Sequence, residues 1–432
     1  MTETSAAGAR FAEPAAATEH GNIRPFHVSV PDEELVDLRR RVAATRWPSK
    51  ELVADRSQGV ELATLQAVMR YWATDHDWRT CEARLNALPQ FKTEIDGVDI
   101  HFIHVKSRHE NALPMIITHG WPGSVIELLE VVGPLTDPTA HGGSAQDAFD
   151  LVLPSMPGYG FSGEPTEVGW DPARIAQAWA ELMNRLGYTN YVAQGGDQGA
   201  LVTDAMAHQA PNGLLGIHLN LLSAFPLEVL AAVFAGAAPP PGLVKKLAVA
   251  LLAAHAERKE PVAVHAVAAA LTKRGYIVEM PEHPQTIGYA LTDTPAGLAA
   301  WMLDHDADSY AKISRAFLDG QPTGGLTRDR ILDNITLYWL TNTATSAARL
   351  YWEGFRTLNA AIASGKNPPK LALPVAFTVF PDEIFKAPRG WAEKVYPHLI
   401  YFNEVDRGGH FAAWEEPELF AQEMRAAFTG LR

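Results

Sequence analysis

Cysteine is nearly absent from this chain. Cys81 is the single one among 432 residues, so no intramolecular disulfide can staple the fold. It sits in DWRTCEARLNAL, a helix-like stretch without a glycine turn, and reads as a small packing residue rather than a nucleophile. Positive charge is also scarce. Lys and Arg number 36 against 50 Asp and Glu, a net charge of −14 that argues against nucleic acid as a partner, since phosphate binding needs a basic surface. Long apolar runs are missing too. The most apolar region, Leu230 to Leu271, is broken by Pro239-Pro240-Pro241 and Lys245-Lys246, and no window approaches the ~20 apolar residues of a spanning helix. The first residues, MTETSAAGARFAEPAAATEHGN, lack the basic start and apolar stretch of a secretion signal. The expectation is a soluble, cytoplasmic protein without a membrane anchor. Internal repeats are not evident.

What is present is ordinary in amount and specific in order. Hydrophobic residues make up 47% and charged residues 20%, as in globular proteins. Residues 31–85 carry apolar positions at helical spacing, as in VPDEELVDLRRRVAAT and LATLQAVMRYWATDHDW. The period then changes. VDIHFIHV alternates like a strand, and ALPMIITHGW and FDLVLPSMPGYG are short apolar runs ending in glycine turns. A helix (PARIAQAWAELMNRLG), a strand (YVAQ) and GGDQGALVTDAMAHQ follow. Such alternation predicts an α/β fold, a mostly parallel sheet with helices on both faces and ligands at the carboxyl ends of its strands. It stops near Ser223. From there to about Gly365 the chain reads as helical, a lid inserted between the sixth and seventh strands, and strands resume at LPVAFTVFP and HLIYFNEV. The divisions expected are a disordered tail (1–20), a helical N-terminal domain (21–92), the first part of the core (93–225), the lid (226–365) and the rest of the core (366–432).

The chemistry centres on Gln194-Gly195-Gly196-Asp197-Gln198-Gly199-Ala200, between a predicted strand and helix. A nucleophile elbow needs small residues two before the reactive residue and two and three after it; Gly195, Gly199 and Ala200 fill those places around Asp197. By itself the segment could be a glycine turn with Asp capping a helix. Its partners weigh against that. His410 follows the last strand in DRGGHFAAWEEPELF, and TVFPDEIFKAP offers Asp382 or Glu383 after the preceding strand. The resulting order of nucleophile, acid and histidine is that of α/β-hydrolase triads. His119-Gly120-Trp121-Pro122-Gly123-Ser124 supplies the other expected loop, and the backbone N–H groups of Trp121 and Gln198 are candidates for an oxyanion hole.

Aspartate in place of serine is informative. A serine attacking saturated carbon would leave an ether that activated water could not readily cleave. A carboxylate leaves an ester, which water deprotonated by histidine can hydrolyse. The elbow therefore points to substitution at sp3 carbon, in epoxides or alkyl halides. His101 and His104 in HFIH have metal-like spacing, but on a strand they read as packing.

HGWPGS (119–124), PGYGFS (157–162), GGDQG (195–199), LYWLTNTATSAARLYWE (337–353), FPDEIF (380–385) and RGGHFAAWEEPELFA (407–421) together resemble the microsomal-type epoxide hydrolases. PFHVSVPDEELVDLRRRV and RWPSKEL also fit, so the likeness spans nearly the whole chain after its first ~20 residues. The resemblance implies an α/β-hydrolase core with a helical N-terminal domain and a helical lid. It implies Glu383 rather than Asp382 as triad acid, and Tyr276 and Tyr351 as donors to the epoxide oxygen; Tyr338 and Tyr159 are the nearest alternatives. It implies hydrolysis of a small-molecule epoxide to a vicinal diol through an ester on Asp197, with no cofactor or metal; the Ala-rich lid segments LAAVFAGAA and VAVHAVAAAL suit a bulky apolar substrate. Homodimerisation stays open. Two other readings remain at this point: a haloalkane dehalogenase, although these typically place Trp where Gln198 stands, and a non-catalytic binding protein on the same scaffold.

Overall fold

The computed structural model describes residues 22–221, 275–364, 371–384, 386 and 388–432. Its centre is a nine-stranded sheet in the order β1-β2-β3-β5-β4-β6-β7-β8-β9. The strands are β1 (Arg24–Pro25), β2 (Gln90–Ile95), β3 (Val98–Val105), β4 (Leu113–Thr118), β5 (Phe149–Pro154), β6 (Tyr191–Gly195), β7 (Leu214–Leu219), β8 (Val375–Val379) and β9 (Leu399–Glu404). β1, β2, β3 and β5 pair antiparallel. From β5 through β4, β6, β7 and β8 to β9 every pairing is parallel. The parallel strands are nearly continuous apolar runs because helices cover both of their faces, and every residue of β6 and β8 is buried.

Strand order reverses around β4, which lies between β5 and β6. Loops leaving β4 and β6 therefore diverge to opposite faces and open a crevice, where ligands of such sheets bind. The carboxyl ends of β8 and β9 lie on the same edge, since both run parallel to β7.

The helical insertion falls between β7 and β8, the seventh and eighth strands rather than the sixth and seventh. The count differs because the two-residue β1 adds itself to the sheet edge by pairing with Lys92 and Phe91. A strand that short carries no period for a reader of sequence to find. The segment 21–92, expected to form a helical N-terminal domain, carries β1 near its start and ends inside β2. Between them lie helices Asp32–Ala43, Leu62–Thr74 and Trp78–Asn86. Cys81 is fully buried in the last of these, and burial pushes its thiol well up, as suits a packing residue.

Within 275–364 the insertion is helical: Gly275–Glu282, Pro284–Asp293, Pro295–Leu303, Ala307–Leu318, Arg328–Thr341 and Ala344–Ser364. Its first part, up to residue 274, lies outside the described residues, as does the N-terminal tail. The N-terminal helices pack against this helical layer. Trp72 Nε1 donates to Thr336 Oγ1 at 2.9 Å, His76 Nε2 meets Asp333 Oδ1 at 2.9 Å, and Arg56 pairs with Asp304 at 2.5 Å. Among the described residues no helix is long and apolar enough to cross a membrane. His101 and His104 do not converge on a common site: His101 contacts Ser155 and Gln90, and His104 meets the Tyr188 hydroxyl.

Candidate active site

Asp197 stands on the turn from β6 into the helix Gln198–Gln209, with φ 49° and ψ −126°. Positive φ in a non-glycine residue costs on the order of 1–3 kcal/mol and persists only where surroundings impose it. Here they do. A Cβ on Gly195 would come within 2.1 Å of the Gly199 carbonyl oxygen, and one on Gly199 within 2.0 Å of the Thr118 carbonyl oxygen. The small residues are required because the elbow backbone touches itself and β4.

The HGWPGS loop leaves β4 beside the elbow. Gly120 lies so close that a Cβ there would meet the Asp197 Cβ at 2.3 Å. The Trp121 backbone N–H donates to Asp197 Oδ1 at 2.8 Å. Gln198, the first residue of the following helix, is buried beside the nucleophile. The loop is clamped by the helix Arg328–Thr341: Asn334 Nδ2 donates to the Pro122 carbonyl, Ser124 Oγ to Asn334 Oδ1, and the Tyr338 hydroxyl to the Gly123 carbonyl, at 2.6–2.7 Å.

His410 follows β9. Its Nδ1 meets Glu383 Oε1 at 2.8 Å, and its Nε2 lies 3.8 Å from Asp197 Oδ2. Burial pushes the imidazolium down, but the charge and hydrogen bond of Glu383, then the charges of Asp197 and Asp306, outweigh it and hold His410 at about 10. Of the two adjacent acids, Glu383 is buried on the histidine. Asp382 turns away to an ion pair with Lys312 at 2.9 Å, and Lys312 also holds Glu415 at 2.6 Å.

Across the site stand the tyrosines. The rings of Tyr276 and Tyr351 meet edge to face with centroids 6.0 Å apart. Burial, then the Asp197 charge, pushes both phenols well up, so both stay protonated. Tyr338 and Tyr159 are raised too, mainly by burial, so acidity does not separate the four. Hydrogen bonding separates Tyr351 from Tyr338 and Tyr159. The Tyr338 and Tyr159 hydroxyls already donate to the Gly123 and Ala347 carbonyls. Among the described residues the buried Tyr351 hydroxyl completes no hydrogen bond, although the Gln198 side chain lies close enough to influence it.

Two neighbours escaped the sequence reading. Glu127 sits over Gly123, where a Cβ would come within 1.6 Å of its carboxylate. With Asp197, His410, Gly120 and Trp121 it lines a chamber of about 20 Å3, room for one water. Burial, opposed by His410 and assisted by Asp197, pushes Glu127 up to about 8. His305 stacks on Tyr276 with centroids 4.8 Å apart and lies 4.3 Å from the His410 ring. The spacing of Glu127 after HGWPGS was a usable signal, because Ser124 caps the helical turn that aims it. His305 gave none, being one histidine in a helical segment.

An aspartate elbow at a sheet's switch point, with acid and histidine after β8 and β9 and helices above, defines an α/β-hydrolase. The family description "alpha/beta hydrolase fold" matches residues 114–257, and "Epoxide hydrolase N terminus" matches residues 23–128. A protein of Stigmatella aurantiaca named as an epoxide hydrolase is 52% identical over 412 residues, covering 95% of this chain and 86% of that one. Epoxide hydrolase 1 of Sus scrofa is 35% identical over 424 residues, covering 96% and 90%. The crystal structure of the juvenile hormone epoxide hydrolase of Bombyx mori superposes with a TM-score of 0.77 at 30% identity, covering 95% of both chains. The chain belongs to the epoxide hydrolases and is an enzyme of that family.

Proposed function

We propose that the enzyme converts an apolar epoxide to a vicinal diol in two steps through an ester on Asp197. The observation that carries this reading is the division of labour on the Asp197 carboxylate. Oδ1 accepts the Trp121 N–H, while Oδ2 faces His410. Oδ2 attacks an epoxide carbon as Tyr276 and Tyr351 donate to the ring oxygen, which leaves poorly without an acid. Oδ1 becomes the ester carbonyl oxygen and is already held where the tetrahedral oxyanion develops, with the Gln198 N–H as second donor. The aromatic rings of Tyr276, Tyr351 and Phe411 favour an apolar substrate.

Alkylation also prepares the second step. Asp197 is one of the charges that keep a proton on His410. Esterification removes that charge, so the histidine becomes easier to deprotonate when a base is needed. Held by Glu383, it then takes a proton from water in the chamber beside Glu127, and the water attacks the Asp197 carboxyl carbon. No step calls for a metal or organic cofactor.

The test uses His410→Gln and oxygen-labelled water. With an epoxide that the wild type accepts, the variant should accumulate enzyme heavier by one substrate mass, with the addition on the peptide containing Asp197. Wild-type enzyme limited to one turnover in labelled water should give mostly unlabelled diol, because the new oxygen comes from the carboxylate. Full label in first-turnover diol would show that water attacks the epoxide directly.

A further inference from the structure

His305 has no part in the reaction just described, yet it is buried and faces the reacting groups. One ring nitrogen of His305, one of His410 and a carboxylate oxygen of Asp197 all lie within 4.8 Å of one another. His305 Nδ1 is engaged by Asp306 Oδ2 at 3.1 Å, as His410 Nδ1 is by Glu383. The Nε2 atoms are left to face the site. The His305 Nε2 is buried without a hydrogen-bond partner among the described residues, on a side chain only 5% exposed. Such a nitrogen needs a physical reason.

From this arrangement we propose that Asp197, His305 and His410 form a binding site for a divalent transition metal of the zinc class, and that occupancy shuts the enzyme off. Two imidazoles and a carboxylate with an open fourth position suit Zn2+, which takes such ligands at about 2.0–2.2 Å. Tetrahedral ligands at that distance are about 3.3–3.5 Å apart. The His410–Asp197 pair, 3.8 Å apart, has to close by a few tenths of an ångström, and the widest pair, within 4.8 Å, by up to about 1.5 Å. The outer shell is also of the right kind, because metal-ligating histidines nearly always carry a carboxylate or carbonyl on the other nitrogen. On binding, the proton on His410 leaves to solvent. The metal takes the lone pairs of the groups assigned as nucleophile and base, so inhibition rests on the proposed mechanism whereas binding rests on geometry alone.

Calorimetry of the chelator-treated full-length enzyme with ZnCl2 should find one site, and CoCl2 should give the visible absorption of a low-coordinate Co2+ centre. Zinc should stop epoxide turnover, and EDTA should restore it. His305→Phe keeps a ring against Tyr276 and His410 but removes the ligand. It should weaken zinc binding by roughly 10–100-fold or more. Asp306→Asn, which spares the ligand and loses its orientation, should weaken binding by about tenfold. Absence of a stoichiometric site in the wild type overturns the proposal, as does equal zinc affinity in folded His305→Phe and wild type. Stoichiometric zinc binding lost in His305→Phe, by an enzyme that forms no Asp197 ester, would keep the metal site and refute the proposed mechanism.

Discussion

Asp197, Glu383 and His410 come from three strand-end loops, and each has a polar partner: 2.8 Å from Trp121 to Asp197, 2.8 Å from Glu383 to His410, 3.8 Å from His410 back to Asp197. Tyr276, Tyr351 and His305 come from the helical layer and meet one another and His410 mainly through ring contacts. Among the described residues the buried hydroxyl of Tyr351 and the Nε2 of His305 complete no hydrogen bond. The contrast follows from what each side must do. A nucleophile and its base must be held in register before substrate arrives, which hydrogen bonds and close backbone contacts accomplish. A donor meant for the substrate must not spend its proton on the protein, so it is positioned by shape. Tyr338 and Tyr159 lie in the same helical layer and loop cluster with their hydroxyls already committed.

The largest effect expected on the sheet side is from Asp197→Ala, which should lower kcat by roughly 10⁴-fold or more, as removal of a nucleophile does. Asp197→Gly should be as inactive yet melt at a higher temperature, because relief of the positive φ returns on the order of 1–3 kcal/mol. A lower melting temperature would mean that the elbow is not strained. Next comes the acid. Glu383→Gln should slow ester hydrolysis by about 10³-fold, whereas Asp382→Asn should change it by less than about threefold. The reverse order in pre-steady-state kinetics would transfer the role to Asp382.

On the helical side, Tyr276→Phe and Tyr351→Phe should each slow alkylation by roughly 10–100-fold. Tyr338→Phe should leave alkylation nearly intact and cost about 1–2 kcal/mol of stability, since the Gly123 carbonyl loses its donor. Single-turnover rates and thermal melts separate the two outcomes. Loss of alkylation in Tyr338→Phe alone would erase the distinction between free and committed hydroxyls.

The smallest effect is in stability against pH. His410 is raised from 6.5 to about 10, and Glu127 from 4.5 to about 8. In both cases the folded state holds its proton more tightly than the unfolded chain. Their contributions are complete below about 6.5 and 4.5 respectively, and are lost as pH rises through the folded values. The melting temperature should fall between about pH 5 and 10, and Glu127→Gln should flatten the lower part of that fall. An unchanged slope in Glu127→Gln would put its carboxyl in contact with bulk solvent.

The candidate triad was legible in sequence because its demands on the backbone are local. Gly195, Gly199 and Ala200 flank Asp197 within one turn, and His410 and Glu383 end strands with clear apolar runs. Reading the residues alone left Asp382 and Glu383 equal; the contact of Glu383 with His410 and the ion pair of Asp382 with Lys312, 70 positions earlier, are tertiary. Tyr276 and Tyr351 came from the family likeness, since a buried tyrosine at helical spacing looks the same whether or not its hydroxyl is committed. Glu127 and His305 needed tertiary contacts to be noticed at all. The strand pair β1–β2 was invisible for a related reason: its partners are 66 to 68 residues apart and one of the strands is two residues long.

The joint between the N-terminal helices and the helical layer bears on how the protein is made. Trp72 meets Thr336 across 264 positions, His76 meets Asp333 across 257, and Arg56 meets Asp304 across 248. A ribosome adds about 5–20 residues per second, so these partners emerge roughly 12–55 seconds after the helices that need them. For that interval the faces of Leu62–Thr74 and Trp78–Asn86 that pack on the helical layer, Trp72 among them, lack that docking surface. Slowing translation should lengthen the window in which nascent chains recruit a chaperone, and a ribosome-stalled fragment ending before residue 304 should remain protease-sensitive over its first 90 residues.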